Sequence, residues 1–141
     1  MRQVNTLGHD DAQMAMEVIK NELIKMNKVA VIAITDVHGE LIALLRMDGA
    51  PFTSIQIASN KAYTAARERK PSREIGQSSR DPQSGFDLAY YGDPKIVGWG
   101  GGLPVILNGQ TVGAIGVSAL PEMEDIEYAQ MGVNAILKCY P

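Results

Sequence analysis

Residues 100–118 read GGGLPVILNGQTVGAIGVS, and this stretch decides the fold. Asn108-Gly109 is a strong signal for a two-residue hairpin, because both residue types tolerate the positive φ angles of such a turn. The apolar segments on either side predict antiparallel strands over 103–107 and 111–118. The sequence therefore predicts a β-hairpin in its last third.

A second hairpin is predicted earlier in the chain. Val29–Thr35 is a continuous apolar run rich in β-branched residues, which is typical of a strand buried on both faces. Asp36–Gly39 supplies turn residues, and Glu40–Arg46 is predicted to return as the partner strand. A fifth strand is predicted in the segment Lys95–Gly98.

Apolar residues at helical spacing predict three long helices, over 10–26, 53–69 and 121–138. Thr53 and Gln56 have the spacing of a capping box at the start of the second helix. Pro121 suits the first position of the third helix. Between them, 71–95 is rich in Pro, Gly and polar residues, which favours an irregular segment of the kind that often carries function. A short helix around Ser72–Ser78 is the alternative.

Two hairpins with helices before, between and after them predict an α+β fold, a central antiparallel sheet of four to five strands flanked by helices. At 141 residues the chain fits a single domain, 1–141. The net charge of −3 argues against nucleic-acid binding. The apolar runs are too short to span a membrane and the first residues lack a secretory signal, so a cytoplasmic location is predicted. One cysteine, Cys139, and two histidines make a poor metal set, so no structural metal is expected.

Several residues are candidates for binding, each with a structural alternative. Gly100–Gly102 either presents backbone N–H groups to an anion or forms a tight bend. Arg46 and Asp48 either bind a ligand or pair with each other to fix a turn. Lys61 lies beside the apolar stripe of its helix, so its ammonium either faces a cleft or is solvated.

Two histidines and several aromatic residues complete the candidates. His9 and His38 are possible haem ligands or proton shuttles, and surface histidines otherwise. Tyr63, Tyr90 or Trp99 is predicted to supply an apolar wall for the ligand. For the cluster of Trp99, Tyr90 and Tyr91, a subunit interface is the alternative. Cys139 has little to activate it as a nucleophile.

Four motifs in order carry a family resemblance: RMDGA at 46–50, KAYTA at 61–65, GGGLPV at 100–105 and GAIGVS at 113–118. Together they resemble the GlcG/HbpS family, which includes the C-terminal domain of PduO-type proteins. The resemblance implies a profilin-like fold and a homo-oligomer, with an octamer as the first expectation. It also implies haem binding, since some members bind haem.

The chain departs from that family pattern at one place. Ala119 and Leu120 stand where the family usually has a Gly-Gly pair, whereas Asp125 matches the acidic residue that follows. The replacement adds side chains beside a helix N-terminus, where an anionic group could otherwise approach the backbone.

We expect a ligand cleft around Arg46, Asp48, Lys61 and Gly100–Gly102, in which Arg46 and Lys61 hold carboxylates. Three functions compete. The first is binding of haem or a related carboxylate-bearing ligand. The second is an accessory enzyme or carrier for a small carboxylate or aldehyde metabolite, and the third is a structural oligomer without catalysis. The only partners expected are the ligand and further copies of the chain.

Overall fold

The computed structural model describes all residues from 1 to 141. In chain order the elements are α1 (His9–Lys25), β1 (Val31–Thr35), β2 (Leu41–Arg46), α2 (Thr53–Glu68), α3 (Ser72–Ser79), a 3-10 helix (Leu88–Tyr91), β3 (Gly102–Leu107), β4 (Gln110–Ser118) and α4 (Glu122–Lys138). The three long helices and both hairpins are therefore where the sequence predicts them. Within 71–95 the structure has the alternative, the short helix α3, in place of a wholly irregular segment.

The four strands form one antiparallel sheet in the order β2-β1-β4-β3. β1 lies in the interior of the sheet, between β2 and β4. The β3–β4 turn has positive φ at both Asn108 (50°) and Gly109 (76°), as its sequence predicts. The α+β class is confirmed.

Helices cover both faces of the sheet. On one face, Ile32 and Ile34 of β1 belong to the main core cluster with buried residues of α1 and α4. On the other face, Val31 and Ala33 pack with the small residues of α2. β1 is fully buried, which explains why its sequence is a continuous apolar run.

α2 packs very closely on the sheet because of two glycines. A Cβ on Gly116 of β4 would lie 2.1 Å from the Ala58 carbonyl oxygen, and a Cβ on Gly102 of β3 would lie 2.1 Å from the Lys61 carbonyl oxygen. Only glycine permits these approaches. The two contacts hold Lys61 over the ends of β3 and β4.

The predicted fifth strand is wrong. The backbone of residues 95–98 bonds to a side chain of α2 instead of a neighbouring strand: Thr64 Oγ1 accepts from Val97 N (3.0 Å) and donates to Lys95 O (3.2 Å). α3 also packs against this segment, since a Cβ on Gly76 would lie 2.1 Å from the Gly98 carbonyl oxygen. The Lys95 carbonyl and the Val97 N–H therefore have hydrogen-bond partners without a strand ladder.

The predicted capping box at α2 is also absent. Phe52 occupies the N-cap position and makes no side-chain cap hydrogen bond. The Gln56 amide donates to Asn60 Oδ1 (2.8 Å), one turn further along. The preceding turn satisfies the helix start, since Ser54 N–H donates to the Pro51 carbonyl. At α4, Pro121 takes the N-cap position, one residue before the predicted one.

None of the helices combines the length and the apolar character needed to cross a lipid bilayer.

Candidate functional site

The glycine triplet forms a bend at the start of β3, against the N-terminus of α4. Gly101 has a φ of +123°, and a Cβ there would lie 2.6 Å from the Val117 carbonyl oxygen. Gly100 N–H donates to Glu122 Oε1 (2.8 Å), and Gly102 N–H donates to Ser72 Oγ (2.9 Å). Two of the three N–H groups are therefore already bound within the protein, and the bend has a clear structural role.

Lys61 lies beside this bend and forms a buried ion pair. Its Nζ donates to Asp125 Oδ2 (3.0 Å) and to the Val117 carbonyl (3.0 Å). Only 3% of Lys61 and 2% of Asp125 is exposed. Asp125 Oδ1 also accepts from the Leu120 N–H (3.1 Å), so both carboxylate oxygens have partners.

Burial dominates the electrostatics of Asp125. Loss of solvent raises the pKa of its carboxyl, and the adjacent Lys61 ammonium opposes that rise. Lys61 was expected to hold a ligand carboxylate, but its charge is already matched by Asp125. In the sequence, Asp125 stands out only as an acidic residue that matches the family pattern, because no local signal pairs residues so far apart.

A pocket of about 240 Å³ opens next to this pair. Its lining includes Lys61, Asp125, Ser118, Glu122 and Trp99. Arg73 forms an ion pair with Glu122 (3.1 Å) in the same region. Three residues that the sequence singles out as binding candidates thus line this one pocket: Lys61, Gly100 and Trp99.

The backbone at Ala119, beside this pocket, adopts a conformation that favours glycine. Ala119 has a φ of +118°, a conformation that L-residues rarely adopt. This is the first of the two positions where the family usually has glycine. Ala119 therefore stands where the family has glycine, but its backbone adopts a conformation suited to glycine.

The other predicted binding residues lie elsewhere. Arg46 ends edge strand β2, with its guanidinium 4.7 Å from the centre of the Phe52 ring. Asp48 is exposed in the following turn. Neither lines the pocket at Lys61, so a binding role for them stays a prediction.

Tyr63 is engaged in internal contacts. Its hydroxyl donates to Asp93 Oδ2 (2.6 Å). The charged ends of Arg67 and Lys95 lie 4.5 Å and 5.1 Å from the centre of its ring. Tyr63 is buried, so its ring has little surface left for a ligand.

A larger groove lies where the two hairpin turns meet the end of α2 and the N-terminal residues. Its volume is about 1060 Å³, and His38, Arg2, Arg67 and Arg69 line it. No Asp or Glu belongs to the lining. Sequence reasoning singled out His38 but missed the arginines, although the basic cluster at 67–70 was a usable signal.

His9 lies apart from this groove. It starts α1 with 89% of its side chain exposed, 3.5 Å from Asp10 Oδ1. The structure therefore separates the two candidate histidines and places His38, but not His9, in the lining of this groove.

Comparisons with known proteins agree with the fold and the motifs. The family model described as haem-degrading protein HbpS-like matches residues 7–134. A 15.0 kDa protein from the dhaT–dhaS intergenic region of Citrobacter freundii is 36% identical over 139 residues, covering 99% of this chain and 95% of that protein.

Two solved structures have the same fold. Klebsiella pneumoniae ORFY is 32% identical with a TM-score of 0.90, over 97% of this chain and 94% of that one. The PduOC–haem complex is 24% identical with a TM-score of 0.84, over 92% and 94%. The family match spans nearly the whole chain, and the chain therefore belongs to the HbpS-like family.

Proposed function

We propose that this protein binds haem in the groove lined by His38, Arg2, Arg67 and Arg69. The observation that carries the proposal is the composition of that groove, which joins an exposed imidazole to three guanidinium groups. Membership of the HbpS-like family and the fold shared with a protein solved as a haem complex support it.

The groove fits the size and charge of haem. Its volume of about 1060 Å³ lies just above the ~300–1,000 Å³ range typical of ligand pockets. Haem carries two propionates, and arginine forms strong charge-assisted hydrogen bonds with carboxylates. Because the lining contains no carboxylate, nothing in it repels the propionates.

Different residues would hold the two ends of the ligand. Arg2 and Arg69, both exposed, would bind the propionates. The Arg67 guanidinium already has partners within the protein. Its Nε donates to the His38 carbonyl (2.9 Å), and its Nη2 forms an ion pair with Glu40 (3.7 Å). That contact fixes the backbone of the turn that carries the imidazole.

The imidazole of His38 would ligate the iron. Histidine is a common axial ligand of haem iron. Bound haem supplies an iron centre suited to O₂ binding, O₂ activation or electron transfer. The open groove leaves His38 free to approach it.

Titration with hemin, followed by absorbance, tests this proposal. We expect a saturable Soret shift in the wild type and a loss of affinity of at least about tenfold in His38→Ala. His9→Ala is the matched control and should bind like the wild type. Nonsaturable uptake, or a loss in His9→Ala instead of His38→Ala, would overturn the assignment.

A further inference from the structure

The pocket beside Lys61 is too small for haem. At about 240 Å³, it lies below the ~300–1,000 Å³ typical of sites for drug-sized ligands. It lies at the opposite end of the β3–β4 hairpin from the groove, where Gly100 and Ser118 line it rather than residues 106–111. The two sites share no residue.

The charges around the small pocket are balanced. Lys61 pairs with Asp125 (3.0 Å), and Glu122 pairs with Arg73 (3.1 Å). An anionic ligand would find two carboxylates nearby and no free cation. Because the charges of the pocket are already paired and burial of an unpaired charge is costly, the pocket favours an uncharged ligand.

The pocket nevertheless keeps unused hydrogen-bonding capacity. An ammonium carries three N–H donors, and protein acceptors take up two of those on Lys61. Ser118 Oγ donates to Ser54 Oγ (3.2 Å), which leaves its lone pairs available. A buried donor without an acceptor is costly, so the third Lys61 N–H favours an oxygen atom in the pocket.

We propose that this pocket binds a short, uncharged hydroxycarbonyl compound. The carbonyl oxygen accepts a hydrogen bond from Lys61 Nζ, and the neighbouring hydroxyl donates to Ser118 Oγ or Glu122. The carbon skeleton packs on the ring of Trp99, which lines the entrance and is 61% exposed. The site is independent of the proposed haem groove, so either can fail without the other.

NMR provides a direct test, since Trp99 is the only tryptophan and gives a single indole N–H signal. Hydroxyacetone is the probe. Lactate is its anionic counterpart, and propane-1,2-diol lacks the carbonyl. We expect hydroxyacetone to move the Trp99 signal saturably at about millimolar concentration, with both analogues at least about tenfold weaker.

Variants connect the signal to the ion pair. The double variant Lys61→Met/Asp125→Asn removes both charges together, so no unpaired charge stays buried. It should bind hydroxyacetone at least about tenfold more weakly. Lys95→Met, which removes an exposed lysine outside the pocket, is the matched control and should bind normally.

Several outcomes would overturn the proposal. These are a nonsaturable shift, equal affinity for lactate, or unchanged affinity in a folded double variant. If the double variant does not fold, Leu120→Phe provides the test, because a larger side chain at this lining position narrows the pocket while the backbone N–H that bonds Asp125 stays in place. Wild-type affinity in Leu120→Phe would then refute the site.

Discussion

Ala119 carries backbone strain at the edge of the small pocket. Its φ of +118° belongs to a region that is nearly exclusive to glycine. A residue held in such a conformation costs about 1–3 kcal/mol, which the rest of the fold must offset.

Ala119→Gly should therefore stabilise the protein. Relief of the strain exceeds the ~0.5–1 kcal/mol that glycine costs in unfolded-chain entropy. We expect the thermal midpoint to rise by about 3 °C for a net gain of about 1 kcal/mol. Differential scanning calorimetry of the variant and the wild type measures this change in the thermal midpoint.

Ala135→Gly is the matched control, since Ala135 lies inside α4 with ordinary helical geometry. Glycine there should destabilise by about 1 kcal/mol. A midpoint for Ala119→Gly at or below that of the wild type would contradict the strain argument.

Individual residues also mark the limit of prediction from sequence. Lys61 was recognised as a candidate from its position on a helix, but its environment depends on Asp125, 64 residues further along. Helical periodicity reports one face of one element. It contains no information on which distant side chain meets that face.

At the level of elements, the segment after α3 is attached to the fold by side chains. Tyr63 binds Asp93, and Thr64 binds the backbone on either side of Ile96. The Tyr63 hydroxyl and the Lys95 N–H hold the pKa of the Asp93 carboxyl below its ordinary value. This attachment depends on an ionised carboxylate.

The attachment should weaken in acid. The unfolded chain loses these hydrogen bonds, so Asp93 takes up a proton at higher pH when unfolded than when folded. The stability from Asp93 is present above the ordinary carboxyl pKa of 3.8 and is lost as pH falls through the lower folded value.

Asp93→Asn should melt below the wild type at about pH 6, and the difference should shrink towards about pH 3. Thermal melts of both proteins between about pH 3 and about pH 6 measure this difference in the thermal midpoint. Asp48→Asn, which removes an exposed carboxylate from a turn, is the control and should give a constant difference. A gap for Asp93→Asn that is independent of pH would refute the assignment.

Elements differ in how well the sequence predicts them. Both hairpins and the long helices are defined by local signals, such as Asn108-Gly109 and the periodic apolar positions. The segment at 95–98 was mistaken for a strand because its apolar residues pack under α2 through a side-chain contact. A local apolar pattern does not distinguish burial within a sheet from burial of an irregular segment under a helix.

At the level of the whole molecule, β2 is an apolar strand at the edge of the sheet. Leu41 is 53% exposed, and the four residues after it are only half-buried. Natural proteins seldom leave such an edge uncovered. We propose that further copies of the chain cover it, and the octamer implied by the family resemblance stays a prediction.

Light scattering tests this assembly. We expect a mass near eight times the 15.2 kDa of one chain. Leu41→Lys should lower that mass, because charged residues discourage pairing at strand edges. Ile106→Lys, at a 45% exposed position on the opposite edge strand, is the control and should leave it unchanged. A single-chain mass at micromolar concentration would exclude self-association.

The position of β1, with strands on both sides and helices on both faces, has a consequence for hydrogen exchange of its backbone amides. Fluctuations that detach one helix or one edge strand still leave intact the hydrogen bonds of those β1 amides that face β4, because β1 and β4 are both interior strands. Their protons can exchange with deuterium only when the molecule unfolds as a whole. The exchange rate of these β4-facing amides therefore reports the global stability, and it provides an internal reference for the exchange of the looser segments.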